Sequence, residues 1–227
     1  MAAIAVDPSN KKHWLIGAAG GGVWETFDGG GSWAPRTDSQ PALTMGAIAF
    51  APSAPKIVYA GTGEAVFSVD AYEGQGVLKS ADGGTTWVRL VNTVPLFLNK
   101  GFSDLAVDPT NPDIVVAAVT KAQLPRPTAR VSGIYKTVNG GGLWLNKLPG
   151  EATDLEIDPN NFSRQYAGVG NIVPKFPPPS EVKPNGVYRS MDAADTWQPV
   201  TGPWTGGTRV VGRVRSEERR VGKECRL

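Results

Sequence analysis

The sequence predicts an all-β chain made of about four copies of one four-stranded antiparallel unit, and three observations predict it. Its 227 residues include 28 glycines and 19 prolines, with 41% hydrophobic residues. Short Val/Ile/Ala runs lie between turn residues, a pattern of turn-rich sheets rather than of helices or disorder. Four stretches share one form: "ETFDGGGSW" (25–33), "KSADGGTTW" (79–87), "KTVNGGGLW" (136–144) and "RSMDAADTW" (189–197). The tryptophans that close them are 54, 57 and 53 residues apart, a blade-sized period. Four short strands per repeat describe the blade of a β-propeller, here a partial one.

Each unit is justified in chain order. A first apolar run ends in a turn: "IAVDPSN" from Ile4, "IAFAPSAP" from Ile48, "LAVDPTNP" from Leu105 and "LEIDPNN" from Leu155. Asp7-Pro8, Asp108-Pro109 and Asp158-Pro159 put Asp first and Pro second, as a type I turn prefers. The second strand reads "HWLIGAA", "KIVYAGT", "DIVVAAV" or "RQYAGVG", and the third "GVWET", "GVLKS", "GIYKT" or "GVYRS". The repeated turn then leads into "SWAPR", "TWVRL", "LWLNK" or "TWQPV". Blades are expected over about 1–40, 41–97, 98–150 and 151–200, with 201–214 starting a truncated fifth.

The turn has a physical reading without catalysis. A short carboxylate accepts hydrogen bonds from its own turn, glycine supplies positive φ, and tryptophan packs between neighbouring sheets. The structural set is Asp28, Trp33, Asp82, Trp87, Asn139, Trp144, Asp192 and Trp197. Ala194 stands where the other copies have glycine, so the sequence leaves the geometry of the fourth turn open.

The pattern Ser/Thr-x-Asp-x-Gly-x-Thr-Trp, best matched at Ser80, Asp82, Gly84, Thr86 and Trp87, resembles the Asp box, or bacterial neuraminidase repeat, of the sialidase and sortilin-like propellers. The match spans about residues 1–200. "IVYAGTGE" followed by "GVLKSADGGTTW" is similar to large bacterial Asp-box proteins labelled glycosyl-hydrolase-like. The resemblance implies a ligand site on the face opposite the boxes and a secreted or periplasmic setting for the full-length parent. No signal peptide is visible in this chain.

Composition excludes several classes. The net charge of +2 arises in the last thirteen residues, which hold five Lys/Arg and three Asp/Glu and leave 18 of each sign in the body. Nucleic acid is therefore not an expected partner. Residues 215–225 resemble the translation of a sequencing-library adapter; the tail is read as artefactual or disordered and set aside. It contains the single cysteine, Cys225. No apolar run approaches the ~18 residues of a membrane span, so no membrane insertion is expected. With one histidine, His13, neither a His triad nor a His-rich metal site is expected, and no cofactor; His13 is read as a turn or strand-edge residue.

Strand alternation puts the boxes at one end of the blades and the loops between second and third strands at the other. Those loops vary from almost nothing (19–22) to 62–76, 120–133 and 170–186, and long loops on a rigid scaffold commonly carry function. Candidate ligand-binding residues are Asp70, Tyr72, Glu73, Arg126, Arg130 and Lys175. Candidate catalytic residues are Glu64, Asp104 and Asp154, since paired carboxylates hydrolyse glycosides at defined separations. No Phe/Tyr-Arg-Ile-Pro motif accompanies them.

Two functions follow as expectations. One is a scaffold that binds a carbohydrate or protein ligand on its loop face. The other is a glycoside hydrolase of sialidase-like or xyloglucanase-like type using those carboxylates. Association through unclosed propeller edges is expected with either.

Overall fold

The structure is a computed structural model that describes residues 3–66, 71–122, 131–170 and 185–202. The first sheet contains β1 (Ala3–Asp7), β2 (Asn10–Gly17), β3 (Val23–Thr26) and β4 (Ala34–Pro35). The second contains β5 (Met45–Phe50), β6 (Val58–Thr62), β7 (Val77–Ser80) and β8 (Val88–Arg89). The third contains β9 (Lys100–Val107), β10 (Val115–Lys121), β11 (Gly133–Thr137) and β12 (Leu145–Pro149); the fourth, β13 (Ala152–Asp158), β14 (Asn161–Val169), β15 (Gly186–Ser190) and β16 (Gln198–Pro199). Strands are antiparallel and follow chain order within each sheet. This is an all-β partial propeller of four blades. The outer strands are short where Pro35 and Pro199, which lack an N–H, limit pairing.

The first strands line up side by side, β1 by β5, β5 by β9 and β9 by β13. Three inter-blade cores fill the gaps. Between blades one and two, Leu15 and Val23 meet Met45, Ile48, Phe50, Val58, Leu78 and Trp87. Between two and three, Tyr59 and Val77 meet Phe102, Leu105, Val107, Tyr135 and Trp144. Between three and four, Val116 and Ile134 meet Leu155, Ala167 and Tyr188, with Trp197 alongside. Trp87, Trp144 and Trp197 thus wedge against the preceding blade. Trp33, on the first sheet, is only half-buried, whereas Trp87 is 6% exposed. A short helix, α1 (Val94–Phe97), carries Phe97 into the second gap. Its ring meets Phe102, Tyr135 and Trp144 edge-on at 5.0–5.7 Å.

All four repeated turns share one hydrogen-bond scheme. In the second, Ser80 Oγ donates to Asp82 Oδ1 and receives the Gly84 N–H, both at 2.8 Å. Asp82 also accepts from the Thr86 N–H at 2.8 Å and the Thr86 hydroxyl at 2.6 Å. Asn139 reproduces the backbone half of this, taking the Leu143 N–H at 2.8 Å, but Leu143 has no hydroxyl to add. The fourth turn does not depart from the pattern: the Ala194 N–H reaches Ser190 Oγ at 2.9 Å, and Thr196 caps Asp192. Ala193 and Ala194 are held at φ of +55° and +67°, so the hydrogen-bond scheme imposes the geometry even without glycine.

Candidate functional site

The two ends of the blades differ in kind. At one end each repeated turn is stitched to the start of the second strand or the turn just before it by Gly29 N–H to Lys12 O, Gly83 to Lys56, Gly140 to Asp113 and Ala193 to Ser163, at 2.8–3.1 Å. The hydroxyl, carboxylate and amide oxygens of these turns are satisfied within the turns, whereas the indole N–H groups of Trp144 and Trp197 are buried without a hydrogen-bond partner among the described residues. The opposite end carries the long connections.

The loop at 62–76 has a rigid base. Thr62 Oγ1 donates to Gly76 O at 2.7 Å and accepts the Gln75 N–H at 2.8 Å, while Gly74 N–H bonds Lys100 O at 2.8 Å on the next blade. Gly63 sits at φ +90°, where a Cβ would meet Lys100 O at 2.1 Å, so the approach of loop to β9 requires glycine. Glu64 accepts the Tyr72 N–H at 3.0 Å, while its own N–H donates to Tyr72 O at 2.9 Å. Its carboxylate therefore shapes the loop. Tyr72 is 63% exposed and its ring reaches toward Gly20 in the short connection of blade one. Glu73, beside it, is partly buried.

A buried charged cluster lies at the same end, on blade three and at its junctions with the neighbouring blades. Lys100 is 1% exposed and donates to Ser132 Oγ at 3.1 Å. Desolvation, its largest influence, pushes the ammonium down to about 8; Glu151 opposes this and Lys121 adds to it. Glu151 accepts from Thr120 Oγ1 and from the Lys121 N–H, each at 2.8 Å, with Lys121 Nζ 3.6 Å away. Asn146 Oδ1 nearby is buried without a hydrogen-bond partner among the described residues.

Asp104 and Asp154 occupy equivalent places on β9 and β13, paired with Ala118 and Gly168. Each follows a one-residue bulge, at Ser103 and Thr153, and bulges re-aim the side chains that follow. Ser103 Oγ bridges the blades by donating to Ala152 O at 2.7 Å. Burial pushes Asp104 up to about 7, against the pull of the Leu105 N–H at 2.7 Å, and the carboxylates of Asp154 and Glu156 add to the rise. The structure brings Asp104 together with Asp154 and Glu156. Glu64 is not among the charges acting on Asp104.

No protein-family model matches the chain, and no curated protein matches it. Among solved structures, it is similar to an ancestral GH74 enzyme at 19% identity and TM-score 0.65, over 88% of this chain and 24% of that one. A GH74 enzyme of Niastella koreensis follows, at 19% identity and TM-score 0.63, over 86% and 28%. YCF48 from Cyanidioschyzon merolae matches at 18% identity and TM-score 0.54, over 87% and 55%. The fold is a β-propeller. The chain spans about a quarter of the GH74 proteins' length and about half of YCF48's.

Within this propeller, Asp70, Arg126, Arg130 and Lys175 lie outside the described residues, as does the tail from 203 onward. Among the described residues no group of three His, Cys, Asp or Glu is placed to hold a metal ion, and no helix is long and apolar enough to cross a membrane. Lys100, Ser132, Glu151 and Glu156 were not singled out by sequence. The one available signal was an acid just before a first strand, as in "PGEATDLEI".

His13 corrects the sequence reading of a turn or strand-edge residue. It is buried, with Nδ1 2.8 Å from Asp7 Oδ2 and Nε2 2.8 Å from Glu25 Oε1. Arg36 Nε donates to the second Glu25 oxygen at 2.6 Å, and the Phe27 ring stacks on the imidazole at 4.4 Å. Partners on both nitrogens make this burial tolerable. The network belongs to the box end and ties blade one to Thr85 of blade two.

Proposed function

We propose that the chain is an Asp-box repeat scaffold that holds a carbohydrate or protein ligand on the end opposite the boxes, in a secreted or periplasmic protein. The observation that carries this reading is the division of labour between the two ends. In the four repeated turns the Ser/Thr hydroxyls and Asp/Asn oxygens are taken up by bonds within the turn, while the other end presents an exposed tyrosine on an anchored loop beside buried charge. An aromatic face of this kind serves a sugar ring or an extended peptide. The test is titration of the full chain with glycan and peptide arrays, repeated with Tyr72→Ala. A loss of at least about 10-fold in affinity with an unchanged circular dichroism spectrum supports the scaffold; binding indifferent to Tyr72 refutes that surface.

One observation favours a second reading. A carboxyl held at about 7 beside another carboxylate, as Asp104 is beside Asp154, suits a general acid near neutral pH. Since one GH74 neighbour is a xyloglucanase, xyloglucan joins sialosides as a substrate to assay. Turnover abolished by Asp104→Asn would establish the hydrolase and displace the pure scaffold.

A further inference from the structure

We propose that Lys100 and Glu151 are the positioning residues of the ligand face: together they form one buried node that ties the bases of three long loops to one another and so sets the frame that carries Tyr72. The proposal rests on the reading of this end as the ligand face.

The node can be followed bond by bond. The loop at 62–76 meets β9 through backbone. Gly74 N–H donates to Lys100 O at 2.8 Å, and Phe102 N–H donates to Gly63 O at 3.3 Å. A Cβ on Gly101 would lie 2.2 Å from Glu64 O, so loop and strand touch there without a side chain between them. Glu64 in turn brackets Tyr72, accepting its N–H at 3.0 Å. The Lys100 ammonium donates to Ser132 Oγ at 3.1 Å, at the end of the 120–133 loop. Ser132 O receives the Gly150 N–H at 3.0 Å, which leads directly to Glu151. The Glu151 carboxylate holds the start of the same loop through Thr120 and Lys121, the residues paired with Gly101 and Lys100 in the β9–β10 register. Its carbonyl accepts the Gly170 N–H at 2.9 Å, at the base of the 170–186 loop. Loops of blades two, three and four therefore converge on two residues.

Charge makes this convergence more than shared packing. Lys100, Ser132 and Thr120 are each at most 2% exposed, and charges out of water act on one another with little screening. Burial pulls the Lys100 ammonium down to about 8, Glu151 opposes that fall and Lys121 adds to it. Glu64, Tyr72 and Glu73 are the titratable residues described on the loop against it. A buried polar network with every member engaged fixes the geometry of the elements it joins.

The experiment is amide NMR of the full chain on either side of pH 8. In the parent, the Gly74, Ser132 and Gly170 amides should titrate together with one midpoint near 8, while the Gly84 and Thr86 amides of the second repeated turn stay flat. Lys100→Met should abolish the shared titration. Glu151→Gln, which keeps the side-chain shape and removes the charge that favours the ammonium, should move the midpoint below the parent's and decides the matter even if Lys100→Met does not fold. In either variant, hydrogen exchange at Glu64 and Gly74 should accelerate at least about 10-fold relative to Gly84 and Thr86. Separate midpoints, a flat Gly74, a midpoint unmoved or raised by Glu151→Gln, or exchange that rises equally in the repeated turn overturns the proposal. Neither readout uses a ligand. A chain that titrates as expected yet binds nothing on the glycan and peptide arrays upholds the node and refutes only the ligand face; array binding with a flat Gly74 refutes only the node.

Discussion

Replacing Ala193 by glycine should stabilise the protein, although it removes a side chain. Ala193 and Ala194 sit at φ of +55° and +67°, where the equivalent residues of the other turns are Gly29 and Gly30, Gly83 and Gly84, and Gly140 and Gly141. Holding a residue with a Cβ in the left-handed region costs about 1–2 kcal/mol. Glycine returns about 0.4–1 kcal/mol of that through the greater freedom of the unfolded chain. The net gain for Ala193→Gly is about 0.5–1 kcal/mol. Ala194 differs because its methyl is fully buried in the core between blades three and four. Losing that methyl costs about 0.8 kcal/mol, so Ala194→Gly should be near neutral. Urea denaturation followed by tryptophan fluorescence measures both. A slope of about 3 kcal/mol per molar converts the first gain into a midpoint rise of roughly 0.2–0.3 M. A lowered midpoint for Ala193→Gly together with a raised one for Ala194→Gly would refute the reasoning. The reverse exchange gives a control. A Cβ on Gly84 would lie 2.6 Å from Leu15 Cδ1, against 3.5 Å from His13 for Gly83, so Gly84→Ala should cost more than Gly83→Ala.

Trp87→Ala should cost about 3–5 kcal/mol as a core truncation, and Trp33→Ala less than half as much in a dilute monomer, because only Trp87 is wedged between blades; equal midpoint shifts would count against the wedge. The hydroxyl and N–H groups of Thr196 hold Asp192 down at about 2, from an ordinary 3.8. Its stabilisation is therefore complete above pH 4 and is lost as pH falls through about 2, so Asp192→Asn should flatten stability against pH between 4 and 2, measured by thermal melts. Asp104 has the opposite sign. A folded value of about 7 against 3.8 means that stability is lost as pH rises from 4 through 7, by at most about 4 kcal/mol. Asp104→Asn should remove that decline and leave the protein more stable than the parent at pH 8.

The repeat was legible because its causes are local. Ser80, Asp82, Gly84 and Thr86 bond to one another within seven residues, so their spacing in the chain is their geometry in space. The Asp-Pro turns and alternating strands were legible for the same reason. The fourth turn stayed open because sequence shows a missing glycine but not the hydrogen bonds that hold Ala194 in place. The short helix carrying Phe97 and the burial of His13 were also not foreseen. Their causes are Phe102, Tyr135 and Trp144 in one case and Asp7, Glu25 and Arg36 in the other.

The candidate site divides along the same line. Sequence by itself determined that Glu64, Tyr72, Asp104 and Asp154 belong to the end of the blades away from the boxes, because strand alternation decides which end a loop occupies. Tertiary structure decided what they do there. It set the Glu64 carboxylate on the Tyr72 backbone N–H, and it placed Asp104 among Asp154 and Glu156 with a perturbed carboxyl. It also built the Lys100, Ser132 and Glu151 cluster from two inter-blade junctions and a loop. A charge is perturbed by the groups within a few ångströms of it, and for a residue between blades those groups come from chain segments some fifty residues away.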